Sequence, residues 1–166
     1  MPRPTNVIAS SDARVHEETH GTKYHIKRRL LGSSAGGREL GCSLYELPPG
    51  KSAWPYHYHT ANEEAIYVLE GEGMLRLPDG EVPIAAGDYI ALPVGAACAH
   101  QVRNPGSVPL RFLCFSTMKQ PDVGIYPDSK KAGLFIGSAP GGSQKDRTLT
   151  AFIPLDAAVD YWDGES

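Results

Sequence analysis

The chain has 166 residues, 41% of them hydrophobic, with 16 basic and 19 acidic side chains and a formal net charge of −3. That length suits one domain with a core of its own, and without a basic block nothing points to nucleic acid or an anionic membrane as partner. Eighteen glycines and fourteen prolines interrupt the chain too often for long helices and predict an all-β domain of short strands.

Cys42, Cys98 and Cys114 are odd in number and widely spaced, so free thiols in a reducing cytosol are expected instead of a disulfide framework. The opening MPRPTNVIASSDARVHEETHG has no apolar h-region, and no run approaches the ~20 apolar residues of a membrane span. A soluble, cytoplasmic protein is expected.

Residues 1–21 mix Pro, Ser, Glu, Thr and His and read as an irregular arm. His16, His20 and His25 match no single strand or helix face and are expected in solvent. Lys23–Leu31 predicts a strand and residues 32–37 a loop. Leu40–Leu47 predicts a strand with Leu40, Cys42 and Leu44 on one face and Ser43, Tyr45 and Leu47 on the other, ended by Pro48-Pro49-Gly50. Ala65–Glu70 is apolar on both faces, as in a strand packed on both sides. Met74–Leu77, the turn Pro78-Asp79-Gly80 and Val82–Ile84 predict a hairpin. Tyr89–Leu92, His100–Asn104 and Pro109–Met118 are further predicted strands, with a loop over 93–97.

From Lys119 the composition changes. Residues 121–123, 126–131 and 139–143 read as loops, Thr148–Leu155 as one more strand and Asp156–Trp162 as a short helical turn. A tail of this size is expected to pack on the main body or across a dimer interface, with Phe152, Tyr161 and Trp162 as anchors.

The chemistry concentrates between Gly50 and Gly71, GKSAWPYHYHTANEEAIYVLEG. Residues i and i+2 of a strand share a face, so His57 and His59 can offer two imidazoles to one point. Thr60, Ala61 and Asn62 predict a turn, and Glu63-Glu64 open the returning strand, which brings one carboxylate back beside the imidazoles. Only one of two adjacent glutamates can face inward, and apolar residues follow on both faces, so alternation alone leaves that choice open. Two imidazoles and a carboxylate suit a divalent transition metal such as iron, manganese, nickel or zinc.

Gly50, six residues, His57-x-His59, four residues, Glu64, six residues, Gly71 closely resembles the first cupin motif. Gly87, five residues, Pro93-x-Gly95, then His100, three residues, Asn104 resembles the second. The resemblance implies a cupin double-stranded β-helix, or jelly-roll barrel, over residues 40–118 (motifs at 50–71 and 87–104), with an arm and first strand at 1–39 and an extension at 119–166. It also implies the metal ligands His57, His59, Glu64 and His100, its spacing selecting Glu64 over Glu63. Four residues separate Gly95 from His100 where the family pattern has two, so counting without a gap puts the ligand slot on Cys98. The register HQVRN and the match at Asn104 select His100, with a short loop insertion of small cost. Cys98, Tyr45 and Arg76 are candidate pocket residues. The segments YPDS (126–129) and YWDGE (161–165) are similar to those of bacterial single-domain cupins largely without assigned chemistry.

Cupins host many chemistries on one scaffold. The expected function is a metal-dependent enzyme acting on a small polar organic molecule, of dioxygenase, isomerase or lyase type, with the metal centre as catalyst. The alternative is a non-catalytic, metal-assisted small-molecule binder or sensor. Apolar outer faces and the aromatic tail predict a homodimer.

Overall fold

Turn residues punctuate the chain every few positions, and the segments between them pair as short strands. The structure is a computed structural model and describes residues 4–165. Its strands are β1 (Val15–His20), β2 (Tyr24–Leu30), β3 (Gly41–Leu47), β4 (Lys51–Ser52), β5 (Tyr58–His59), β6 (Glu64–Glu70) and β7 (Glu72–Leu77). They continue as β8 (Gly80–Ala85), β9 (Tyr89–Leu92), β10 (Gln101–Asn104), β11 (Leu110–Ser116), β12 (Asp122–Tyr126), β13 (Lys131–Ile136) and β14 (Leu149–Pro154). Among the described residues no helix is long and apolar enough to cross a membrane.

One large curled sheet runs β8-β7-β10-β4-β2-β3-β11-β6-β9, with β1 added on β2; a second sheet runs β14-β13-β12-β5. All pairings are antiparallel except the short β2–β4 contact. The fold is the β-barrel type expected from the strand pattern. Its core lies inside the curled sheet, where Leu47, Val68 and Leu110 are fully buried beside Ile26, Leu75 and Phe112. Burying each such side chain contributes about 1.5–3 kcal/mol. Gly71 turns β6 into β7 at φ +84, and a Cβ there would sit 2.7 Å from the Pro109 carbonyl oxygen. Only glycine fits both demands.

Several expectations need correcting. Residues 15–20 are no irregular arm but a strand paired with β2 along its whole length. Being largely exposed it carries no apolar alternation, and cross-strand pairs hold it instead: Glu17 with His25 at 2.7 Å and Glu18 with Arg28 at 2.8 Å. The loop after β2 contains one helical turn, Leu31–Ser34. Strand β6 is packed on one face only: Ile66 and Val68 are buried while Tyr67 and Leu69 reach solvent. Residues 121–123 and 126–131 are not plain loops, because β12 and β13 pair there around a 3-10 turn at Pro127–Ser129. The helical turn near the end is confined to Leu155–Ala157. Tyr161 and Trp162 pack on each other, 83% and 71% exposed, and anchor nothing among the described residues, whereas Phe152 lies against Tyr126 and Phe135.

Candidate metal centre

His57 and His59 flank Tyr58, His57 just before the short strand β5 of the second sheet and His59 within it. His57 pairs with His100 as an isolated antiparallel bridge: its N–H donates to the His100 carbonyl at 3.1 Å, and the His100 N–H donates back at 2.8 Å. His59 pairs on its other side with Gly124 of β12. Glu64 opens β6 opposite Leu92 and Ser116 and points inward with Ile66 and Val68. Glu63, its neighbour, is exposed.

The donor atoms of His57, His59 and Glu64 lie within 4.8 Å of one another, an arrangement that could hold a metal ion. His100 joins from the Glu64 side and lies outside that tightest group. Its Nε2 is 3.4 Å from Glu64 Oε2, His59 Nε2 is 3.5 Å from the same oxygen, and the His57 and His100 ring centres are 4.7 Å apart. All three imidazoles are buried.

The other nitrogen of each ring fixes its tautomer. His57 Nδ1 meets the Pro55 carbonyl at 2.8 Å and His100 Nδ1 meets the Cys98 carbonyl at 3.0 Å. A carbonyl oxygen only accepts, so both rings carry a proton on Nδ1 and leave the Nε2 lone pair free. His59 Nδ1 donates to Asp122 Oδ2 at 2.6 Å, and Asp122 Oδ1 accepts the Ala61 N–H at 3.0 Å. A carboxylate behind a histidine orients the ring and raises its basicity toward a metal.

The electrostatics follow from burial and contacts. Burial, then the nearby His100 and His59, push the His57 imidazole down to about 3, so it is neutral across the working range. Burial alone would raise the Glu64 carboxyl, but His100, His59 and His57 outweigh it and draw it down to about 2. Burial opposes protonation of His59, yet Asp122 and Glu64 on either side raise it above its ordinary value.

These groups line a cavity of about 400 Å3, within the range of small-molecule sites. Tyr45 lines it and stacks on Phe112 at 5.2 Å. Gln101 also lines it, its side-chain amide donating to the Trp54 carbonyl at 2.5 Å. Tyr126 lies parallel to His57 with ring centres 5.7 Å apart, its hydroxyl pushed up to about 12 by burial and by Asp122 and Glu64. Two sequence candidates do not line the cavity. Arg76 sits outside it, bonded through both guanidinium nitrogens to Asp128 at 2.6 and 2.9 Å and lying 3.9 Å over Tyr56. Cys98 is half-buried in a 3-10 turn and contributes its carbonyl to His100 instead of its thiol. Asp122 and Tyr126 were missed in the sequence, where they lie in segments that read as loops and carry no ligand spacing.

Residues 43–116 match the family described as the cupin domain. The chain is 30% identical over 107 residues to the tetracenomycin polyketide synthase protein TcmJ of Streptomyces glaucescens, covering 64% of this chain and 67% of that one. It is 38% identical over 68 residues to an oxalate-binding protein of Thermotoga maritima, covering 41% of this chain and 54% of the relative. The chain spans about half the length of the first curated relatives it matches. Among solved structures, one from Acidithiobacillus ferrooxidans, described provisionally as a sugar phosphate isomerase, superposes with a TM-score of 0.77 at 27% identity, covering 94% of this chain and 96% of that chain. With the motif segment matched, a relative covered over two thirds of its length and a solved structure superposing along nearly the whole chain, this chain belongs to the cupin family.

Proposed function

We propose that this protein is a metal-dependent enzyme of isomerase type acting on a small polar organic molecule, with one divalent transition metal held by His57, His59, Glu64 and His100. The observation that carries this reading is the set of Nδ1 anchors on Pro55, Asp122 and Cys98. They leave three Nε2 atoms free beside one half-buried carboxylate, with His57, His59 and Glu64 grouped most tightly and His100 3.4 Å from the Glu64 carboxylate. That donor set fits iron, manganese, nickel or zinc better than calcium or magnesium, which take oxygen ligands.

When bound, such an ion acts as a Lewis acid on substrate oxygens. The chain's own residues supply the rest. Asp122 holds the proton of His59 at Nδ1, away from the ligand position. Burial keeps the Tyr45 and Tyr126 hydroxyls protonated, so toward a substrate oxygen they serve as hydrogen-bond donors. Trp54 and Phe112 line the cavity and exclude water. Isomerase chemistry is favoured over dioxygenase or lyase chemistry by the likeness to the Acidithiobacillus ferrooxidans protein along nearly the whole chain.

The test is metal content by mass spectrometry on protein purified without chelator or affinity nickel, beside His59→Ala, followed by aldose–ketose interconversion assays with and without oxygen. Near-stoichiometric metal, lost in the variant, with turnover indifferent to oxygen is expected. Metal absent from both proteins refutes the site, and turnover that consumes oxygen moves the reaction to the dioxygenase class. A second reading, a non-catalytic metal-assisted binder, is favoured by the likeness to the oxalate-binding protein and is reached if ligands bind without turnover. A homodimer and a cytoplasmic location, where the three free thiols stay reduced, belong to the same proposal.

A further inference from the structure

The cavity lining carries more than the candidate ligands. Four cations converge there from four parts of the chain: Arg28 on β2, Arg38 before β3, Lys131 opening β13 and Arg147 before β14. Two carboxylates line the same cavity, Glu18 and Glu64. Glu64 faces the histidines, and Glu18 engages one terminal nitrogen of Arg28 from a largely exposed position. Among the described residues, Arg38, Lys131 and Arg147 have no carboxylate within ion-pair distance. A chain that is acidic overall thus gathers uncompensated positive charge around its candidate site.

How these cations are held matters as much as their sign. Arg147 donates to the carbonyls of Ser138 at 3.3 Å and Ala139 at 3.0 Å, and its guanidinium lies 5.2 Å over Phe135. Lys131 Nζ lies 5.3 Å over Tyr126 and 5.6 Å over Phe152. Arg28 lies 5.4 Å over Trp54, and its Nε is buried without a partner. Ring faces and carbonyls fix a cation in place without cancelling its charge. Burial lowers Arg147 from its ordinary value, and repulsion from Arg28 lowers it further, so the two guanidiniums oppose each other across the same space. Like charges collected in one cavity destabilise the empty protein and favour a bound anion.

We propose that Arg28, Lys131 and Arg147 form an oxyanion subsite that takes the phosphate or carboxylate group of the substrate, while the histidine–glutamate cluster takes its reacting end. Tyr126 links the two, carrying Lys131 on its ring and stacking on His57. The inference deepens the proposed function and rests on it for the reacting end alone. Anion capture needs no metal.

The experiment is isothermal titration of inorganic phosphate and, separately, oxalate into the wild-type protein, His59→Ala, Lys131→Gln and Arg147→Gln, with metal content and Tm measured for each. At least one of the two anions is expected to bind wild type and His59→Ala with closely similar affinity. It should bind Lys131→Gln and Arg147→Gln at least about tenfold more weakly, the loss of one charge-assisted contact, at unchanged metal content and with a cooperative melting transition retained. Preference for phosphate identifies a phosphate ester and preference for oxalate a carboxylate; either supports the subsite. Binding that vanishes in His59→Ala but persists in both cation variants places the anion on the metal and overturns the subsite while leaving the metal reading intact. Anion binding to a wild-type protein that holds no metal supports the subsite and rejects the metal reading. No binding of either anion overturns the subsite.

Discussion

Asp122→Asn is the most informative single change, because one side chain serves two donors. Oδ2 accepts the His59 Nδ1–H at 2.6 Å and Oδ1 accepts the Ala61 N–H at 3.0 Å. The carboxyl is drawn down to about 2, burial being outweighed by His59, Asn62 and Ala61, so at neutral pH it is an acceptor at both oxygens. An amide of the same shape accepts at one end only. If its oxygen faces His59, the Ala61 N–H is left unpaired, which costs about 1–3 kcal/mol of stability. At about 2–4 °C per kcal/mol that lowers Tm by several degrees. If its nitrogen faces His59, the ring must move its proton to Nε2 and surrender the lone pair offered to the metal. In either orientation the carboxylate's support of ring basicity is gone. Metal affinity should fall about 10–100-fold, equivalent to about 1.4–2.8 kcal/mol. Competition titration against a chelator, with zinc or manganese as probe, measures this directly, and a melting curve separates the two orientations. Affinity and Tm both equal to wild type would refute the reasoning and leave Asp122 a bystander.

Glu64→Gln should weaken metal binding markedly while Glu63→Gln leaves it intact, because Glu64 is the inward glutamate; metal analysis showing the reverse order would reject the assignment. Metal affinity should rise with pH, since His59 has a raised pKa and must give up its proton to bind; titrations across the neutral range check this, and affinity flat with pH would contradict it. The metal-free protein should lose stability on acidification. His57 is held at about 3, below its unfolded value, so the unfolded chain takes up a proton first as pH falls below about 6.5, and Glu64, at about 2, adds its loss below about 4.5. The summed effect of these two groups is on the order of 6 kcal/mol by pH 3, offset in part by His59, whose raised pKa favours the folded protein as pH falls; urea midpoints that do not fall between pH 7 and pH 4 would count against it. Leu110→Ala, at a fully buried position, should cost about 2–5 kcal/mol in urea unfolding, and a cost below about 1 kcal/mol would mean the core is not where it is drawn. Light scattering should report a homodimer that buries exposed apolar side chains such as Phe152 and Ile153, and a monomer at micromolar concentration would reject it.

The stretch around the histidines is legible because strand alternation is a local rule. His57 and His59 lie two positions apart, so spacing translates directly into proximity, whereas Glu64 and His100 are reached in the sequence only through the resemblance to the cupin motifs. The hairpin at Pro78-Asp79-Gly80 is equally local, with Leu77 pairing with Gly80. Strand β1 is not legible, since a ribbon largely exposed to water needs no apolar period. Strands β12 and β13 are hidden for a different reason. Gly124 and Gly133 face each other in register, and a Cβ on Gly133 would come within 2.8 Å of the Phe152 ring. Glycines that make room for an aromatic ring look, in sequence, like turn residues. Asp122 inherits that blindness: its contact with His59 spans 63 residues and exists only once β12 has docked on β5.

The site thus divides between two sheets with different work. Its four candidate ligands come from residues 57–100, inside the family-matched segment 43–116. Asp122, Tyr126, Lys131 and Arg147 come from the chain beyond it. His59 belongs to both, as a strand of the second sheet through Gly124 and as a member of the ligand cluster through Glu64. Changes in β12–β14 therefore reach the ligand cluster through the Asp122–His59 hydrogen bond, the pairing of β12 with β5 and the ring of Tyr126 on His57, and they reach the cavity through several lining side chains. Substitutions at Lys131 or Arg147 should redirect which molecule binds and leave the metal in place, whereas substitutions at His57 or His100 should release the metal whatever the second sheet presents.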